Sequence, residues 1–263
     1  MHSKASRLSP RTIGGSLAAL AVLVALALPG SAWADQTETS TKTINGTVTE
    51  IAGDATGSGA IAGPATAINT PIVIQQNIQV DTTGNANNDQ TATNDATVSQ
   101  DTAAGSGTAT ASNGGTASTG AATATSTVLI LQLNIQVITG FVPEAGVSQT
   151  ASNDADVHQT TVAGSGIASG DGSGSTASSG SATASNSAYI GQINVQIYSG
   201  SYGGVADTAG QITQDAMNGA TVAQTTAAGT GTATATDGGE ATTGDAAVRD
   251  QYTVSQLTWQ YYH

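Results

Sequence analysis

The sequence predicts an all-β fold, a repetitive β-solenoid or a set of stacked β-sheets built from repeats of about 60 residues. Three observations predict it. One long unit recurs along the chain, side-chain character alternates with a period of two inside each unit, and glycines punctuate the short segments between. A period of two marks a strand, because successive side chains of a strand point to opposite faces.

The unit opens on QTATNDATVSQ from Gln90, QTASNDADVHQ from Gln149 and QDAMNGATVAQ from Gln214. One face of this strand carries Gln90, Asn94 and Gln100, then Gln149, Asn153 and Gln159, then Gln214, Asn218 and Gln224, with alanines and a valine between them. Threonine, serine, aspartate and one histidine fall on the other face. The step from Gln159 to Gln224 is longer than the step from Gln100 to Gln159, so the period tolerates loop insertions.

Glycine-rich segments follow, GSGTATASNGG from Gly105, GSGIASGDGSG from Gly164 and GTGTATATDGG from Gly229, and they read as turns between short strands of alternating Ala and Thr or Ser. Each unit closes on a further amide strand: Gln132, Asn134 and Gln136; Gln192, Asn194 and Gln196; Gln256 and Gln260. An earlier, partial copy supplies Gln75, Asn77 and Gln79. In the closing strand the amides share one face, and Leu131, Leu133, Ile135 and Val137 share the opposite one. The organisation expected is a leader over 1–34, a terminal strand segment with a partial repeat over 35–86, and repeats over 87–146, 147–208 and 209–263.

Amides on an inner face need an explanation, because a buried primary amide without partners costs about 1–3 kcal/mol. Identical amides stacked at the strand spacing of about 4.8 Å bond to one another along the stack. The cost then becomes a lock on register, since a slip breaks every rung. Both sets of Gln and Asn residues are therefore expected to form amide ladders.

Residues 1–34 read as an export leader. Lys4, Arg7 and Arg11 precede an apolar run from Ile13 to Leu28, then Pro29 and Gly30, then Ala32-Trp33-Ala34, the small-x-small pattern of a cleavage site. Cleavage after Ala34 would leave a mature chain beginning at Asp35, with Lys42 and Arg249 the only Lys or Arg against 18 acids. That balance excludes nucleic-acid binding, which needs a basic face. No later stretch is apolar enough to span a bilayer, so the mature chain is expected outside the cell, secreted or at the cell surface, without stable membrane insertion. The chain has no cysteine, so disulfides cannot hold it. Ile, Val, Leu and Phe are scarce after the leader, a composition that reads as disordered unless the repeats order it.

The strings Asn94-Asp-Ala96-TVS-Gln100, Asn153-Asp-Ala155-DVH-Gln159 and Asn218-Gly-Ala220-TVA-Gln224 resemble the Asn-x-Ala-x-x-x-Gln half of the repeats in curli-type (curlin) extracellular amyloid subunits. The resemblance covers one short string in each of three copies, a small part of the chain. The leading Gln is one residue closer to the Asn than in that family, and the repeat here is far longer. The resemblance implies secretion, strand stacking and self-assembly into fibres of an extracellular matrix.

Candidates for chemistry are few. Asp154, Asp156 and His158 share a strand face, as a weak metal site or a carboxylate pair would require. The corresponding residues are Asp95, Thr97 and Ser99 in one copy and Gly219, Thr221 and Ala223 in the other, so a solvated polar face explains them better. The segments SGDGSGS from Ser169 and TDGGEATTGD from Thr236 resemble calcium-binding nonapeptide repeats, but the aspartates do not recur at nine-residue spacing. No cofactor is expected. The last strand, with Leu257, Trp259, Tyr261 and Tyr262, reads as a subunit interface that joins copies of the chain. The expected function is that of a structural, non-enzymatic, self-assembling subunit. The alternatives are a monomeric adhesin or binding protein for carbohydrate, a cell surface or ice, using rows such as Thr108/Thr110 and Thr232/Thr234, and then an exported hydrolase.

Overall fold

Alternation puts every second side chain inside, and parallel pairing of equivalent strands is the arrangement that sets like residues on like. The computed structural model describes residues 36–82, 88–141, 146–201 and 211–262, and the expected leader over 1–34 lies outside them. The chain winds into a β-solenoid of four coils in which every strand pairs in parallel with its equivalent in the next coil.

Each coil has four sides. Coil 1 contains β1 (Gln36–Ile51), β2 (Ala55–Thr56), β3 (Gly59–Ala62), and a last side in two pieces, β4 (Ala65–Asn69) and β5 (Ile72–Asp81). Coil 2 contains β6 (Asn88–Gly105), β7 (Ala109–Ala111), β8 (Thr116–Thr119) and β9 (Ala122–Phe141). Coil 3 contains β10 (Val147–Gly164), β11 (Ile167–Gly170), β12 (Thr176–Ser178) and β13 (Ala182–Ser201). Coil 4 contains β14 (Ile212–Gly229), β15 (Thr232–Ala235), β16 (Glu240–Thr242) and β17 (Ala246–Tyr262). The four sheets are β1-β6-β10-β14, β2-β7-β11-β15, β3-β8-β12-β16 and the closing wall β4/β5-β9-β13-β17.

The segment read from sequence as a partial copy completes a coil. Its first strand holds the full register of the opening strands, with Gln36 on Gln90, Ser40 on Asn94 and Ile44 on Val98.

The two long walls face each other, and the core between them changes character along the coil. Next to the amide zone lies a band of Val73, Val98, Val128, Ile130, Val157 and Ile190. Beyond it come alanines, Ala67, Ala124, Ala163 and Ala184 among them, then an all-alanine tip with Ala60, Ala109, Ala117, Ala168 and Ala177. Side chains shrink from the valine and isoleucine band to the tip, so a chain poor in large apolar residues buries its interior mainly with alanine.

Glycine is needed where the corners of successive coils stack. A Cβ on Gly166 would run into the carbonyl of Gly107, and one on Gly231 into the carbonyl of Gly166. The tip turns use Asn113 at φ 56° and Asp237 at φ 51°, each followed by a glycine of positive φ, Gly114 and Gly238.

Gly166→Ala is therefore expected to lower stability by about 1–3 kcal/mol through backbone overpacking. Gly164→Ala, two residues away with nothing within 4 Å of an added Cβ, is expected to change it by less than about 0.5 kcal/mol. Urea unfolding midpoints of the two variants check the contrast.

Candidate assembly interface: the amide ladders and the open coils

The walls bring the predicted amides into columns. Across the closing wall, Gln75, Gln132, Gln192 and Gln256 stand in register, as do Gln79, Gln136, Gln196 and Gln260. Across the opening wall, Gln90, Gln149 and Gln214 form one column, Asn94, Asn153 and Asn218 a second, and Gln100, Gln159 and Gln224 a third. The interior members are almost wholly buried, with Asn94, Asn134, Gln136, Gln192, Asn194 and Gln196 at 0 % exposure.

Each glutamine donates toward the coil before it. Gln132 Nε2 lies 2.9 Å from Gln75 Oε1, Gln192 Nε2 2.8 Å from Gln132 Oε1, and Gln256 Nε2 2.7 Å from Gln192 Oε1. The second closing column repeats this from Gln136 to Gln79 (2.8 Å), Gln196 to Gln136 (2.9 Å) and Gln260 to Gln196 (2.8 Å). The opening wall follows the same sense, from Gln149 to Gln90 (3.0 Å), Gln214 to Gln149 (2.8 Å), Gln159 to Gln100 (2.9 Å) and Gln224 to Gln159 (2.8 Å).

The same Nε2 groups tie the walls together. Gln132 donates to the Asp154 carbonyl at 2.6 Å, Gln192 to that of Gly219 at 2.6 Å, and Gln75 to that of Asp95 at 2.7 Å. Each of these glutamines reaches across the interior to the opening strand of the following coil.

The asparagines run the opposite way. Asn77 Nδ2 donates to Asn134 Oδ1 (3.1 Å), Asn134 to Asn153 and Asn194 (both 3.0 Å), and Asn153 to Asn194 (2.8 Å) and Asn218 (3.0 Å). Asn94 joins the zigzag by donating to Asn134 (2.8 Å) and Asn153 (3.0 Å). It ends where Asn218 Nδ2 meets Thr258 Oγ1 at 3.1 Å, because Thr258 occupies the fourth asparagine position of the closing wall.

Among the described residues three buried amide atoms lack a partner, and the ladder accounts for all three. Gln100 Nε2 faces coil 1 where its register partner is Gly46, so no Oε1 is there to accept. Asn94 Oδ1 faces Ser40, which has no amide to donate. Asn77 Oδ1 lacks both donors that Asn134 Oδ1 has, a closing-wall asparagine of an earlier coil and the own-coil asparagine whose place Ser40 takes.

Sequence inspection missed one rung. Gln36 Oε1 accepts from Gln90 Nε2 at 3.0 Å and extends the first column to coil 1. Its signal was its place at the head of a strand with Ile44 and Val48 in the phase of the later copies, but the Asn and Gln that define the motif are Ser40 and Gly46 here.

The expected interface residues do not all lie on the coil end. Leu257, Trp259 and Tyr261 sit on the outer face of the closing wall, in register with Ile193, Val195 and Ile197. That outer face is an apolar band in which Ile135 and Val195 pack among Ile78, Leu133, Val137, Ile193 and Ile197. Tyr262 has the inward phase and stacks on Tyr198, ring centroids 5.7 Å apart.

Asp154 and His158 are exposed and Asp156 half-buried on the outer face of the opening wall, with His158 Nε2 3.2 Å from Asp156 Oδ2. Among the described residues, no three His, Cys, Asp or Glu side chains gather where an ion could be held.

Both end coils present unpaired edges within the described chain. On coil 4 a hollow between the walls is lined by Val222, Gln224, Asp250, Gln251 and Tyr252. On coil 1, Glu38 and Lys42 hold the inward phase at positions that are alanine in the three later coils, Ala92, Ala151 and Ala216 for the first, Ala96, Ala155 and Ala220 for the second.

Ser40→Asn would give the orphaned Asn94 Oδ1 a donor and add a rung. It is expected to raise stability by about 1 kcal/mol, read as a higher urea midpoint with an unchanged slope.

Searches against protein-family models, curated proteins and solved structures return no match to this chain.

Proposed function

We propose that this protein is an exported structural subunit that adds copies of itself coil upon coil into an extracellular fibre, matrix or surface layer. The observation that carries the reading is that, within the described residues, both end coils finish in unpaired strands and in ladder glutamines, Gln36, Gln75 and Gln79 on coil 1 and Gln214, Gln256 and Gln260 on coil 4. A sheet edge of this kind is a template for another chain. The leader-like residues 1–34 and the curlin-like Asn-x-Ala-x-x-x-Gln strings support export and self-assembly. The strongly acidic, lysine-poor mature chain suits a protein that must stay dispersed until it assembles.

A non-enzymatic role fits the candidate cluster, because Asp154, Asp156 and His158 lie on an exposed strand face. The second reading, a monomeric binding protein, draws on the aligned hydroxyl row Thr56, Thr110, Ser169 and Thr234. It predicts a stable monomer at any concentration.

Concentrated protein is expected to form filaments with a strong meridional spacing near about 4.8 Å by fibre diffraction. A folded monomer that never assembles would exclude the structural reading and favour the binding one. Glu38→Ala combined with Lys42→Ala removes two inward charges that a joining coil must bury. This variant is expected to shorten the lag of assembly severalfold, followed by light scattering.

A further inference from the structure

Resting on that reading, we infer that the joint between two copies is a further turn of the solenoid itself: coil 4 of one copy receives coil 1 of the next, head to tail and in register. The hydrogen-bond polarity of the ladders carries this. Every glutamine column donates toward the earlier coil, so coil 4 turns the Oε1 atoms of Gln214, Gln256 and Gln260 outward as acceptors. Coil 1 offers the matching donors, the Nε2 groups of Gln36, Gln75 and Gln79. They keep the own-coil main-chain bonds that later coils also make, to the carbonyls of Val80, Ser40 and Gln36, and lack only the ladder bond to an earlier Oε1.

The asparagine zigzag supplies an independent observation. Asn77 is 1 % exposed, and its Oδ1 is a buried acceptor without a donor. Its equivalents in the following coils have two donors. One is the closing-wall asparagine of the coil before, Asn77 for Asn134 and Asn134 for Asn194. The other is the opening-wall asparagine of their own coil, Asn94 and Asn153, whose place in coil 1 is taken by Ser40. At the joint the preceding coil is coil 4, whose residue at that position is Thr258. The Thr258 oxygen already accepts from Asn218 Nδ2, which leaves its O–H free to donate to Asn77 Oδ1 of the next copy.

Joining like ends instead would set the Oε1 atoms of two coil-4 faces against each other, acceptor on acceptor. Only head-to-tail addition pairs Gln36 with Gln214, Gln75 with Gln256 and Gln79 with Gln260, so the filament has a direction.

The chain lacks cysteine, so introduced pairs report the joint directly. Thr43 and Thr221 share one outward register column through Thr97 and Asp156, and Thr47 and Thr225 share another through Asp101 and Thr160. Within one molecule each pair is separated by three strand spacings, about 14 Å, too far for a disulfide. Across the inferred joint each pair is adjacent, about 4.8 Å apart.

Under mild oxidation of assembling protein, Thr43→Cys with Thr221→Cys, and Thr47→Cys with Thr225→Cys, are expected to give ladders of disulfide-linked multimers on non-reducing gels. The crossed pairs, Thr43→Cys with Thr225→Cys and Thr47→Cys with Thr221→Cys, are offset by about 13 Å and are expected to link at least tenfold less. Equal linking of crossed pairs overturns the register. Efficient dimerisation of Thr221→Cys alone, with no multimers from the pairs, overturns the direction. Filaments whose in-register pairs stay unlinked overturn the joint but leave the structural reading standing. Absence of both filaments and multimers overturns the two together.

Discussion

The in-register amide ladder is the constraint on which the rest of this structure depends. A glutamine or asparagine inside a protein is a liability until both halves of its amide are satisfied. Here one hydrogen of Gln132 goes to Gln75 in the coil before, and the other to the main chain of Asp154 across the interior. The amide can be satisfied this way only if its equivalents are identical and aligned. The sequence spacing between equivalent residues nevertheless varies, growing from the step Gln36–Gln90 to Gln90–Gln149 and again to Gln149–Gln214. The long walls hold register through that variation, so added length is forced out of the walls into the connections. A slip of one residue would turn every column outward, and a slip of two in the opening wall would set amides on alanines.

Opposed senses of the two amide types bear on the energetics of a long stack. A column of aligned side-chain amides adds its dipoles, as the peptide units of a helix do. The glutamines point their Nε2 groups toward coil 1 and the asparagines their Nδ2 groups toward coil 4. The two asparagine columns therefore offset part of the field of the four glutamine columns, while each keeps its own polarity. Each end thus keeps a distinct pattern of donors and acceptors.

The repeat was legible because the chain writes it in residues with little other reason to recur. Asn94, Asn153 and Asn218 at one phase of a strand, with alanine two residues on each time, signal an aligned interior. The same strings identified the columns that the walls bring together. What sequence could not supply was the first coil, whose opening strand replaces the diagnostic residues with Ser40 and Gly46. There the space is taken differently: Asn69 Nδ2 donates to the Gly46 carbonyl at 3.0 Å, and its side chain fills the place a Cβ at Gly46 would enter. Aromatic residues in the last strand were legible as exposed apolar surface, but their direction was not. Odd and even positions of β17 serve different surfaces, and only the position of Gln256 and Gln260 inside fixes Leu257, Trp259 and Tyr261 outside.

The two ends differ in the inward residues of their opening strands and in ladder polarity, and the difference is what an assembling subunit needs. Coil 4 keeps Ala216, Asn218, Ala220 and Val222 on the inward phase of its opening strand, and the inward carboxylate of its closing strand, Asp250, is hydrogen-bonded to Thr226. Coil 1 places Glu38 and Lys42 on that phase, where desolvation costs several kcal/mol per ion in a dry interface. Inward charges on edge strands are a general means of resisting indiscriminate pairing. Charges inside the end coils admit only a partner whose ladder atoms repay the burial, and by the polarity of the glutamine columns the partner of coil 1 is the coil-4 end of another copy.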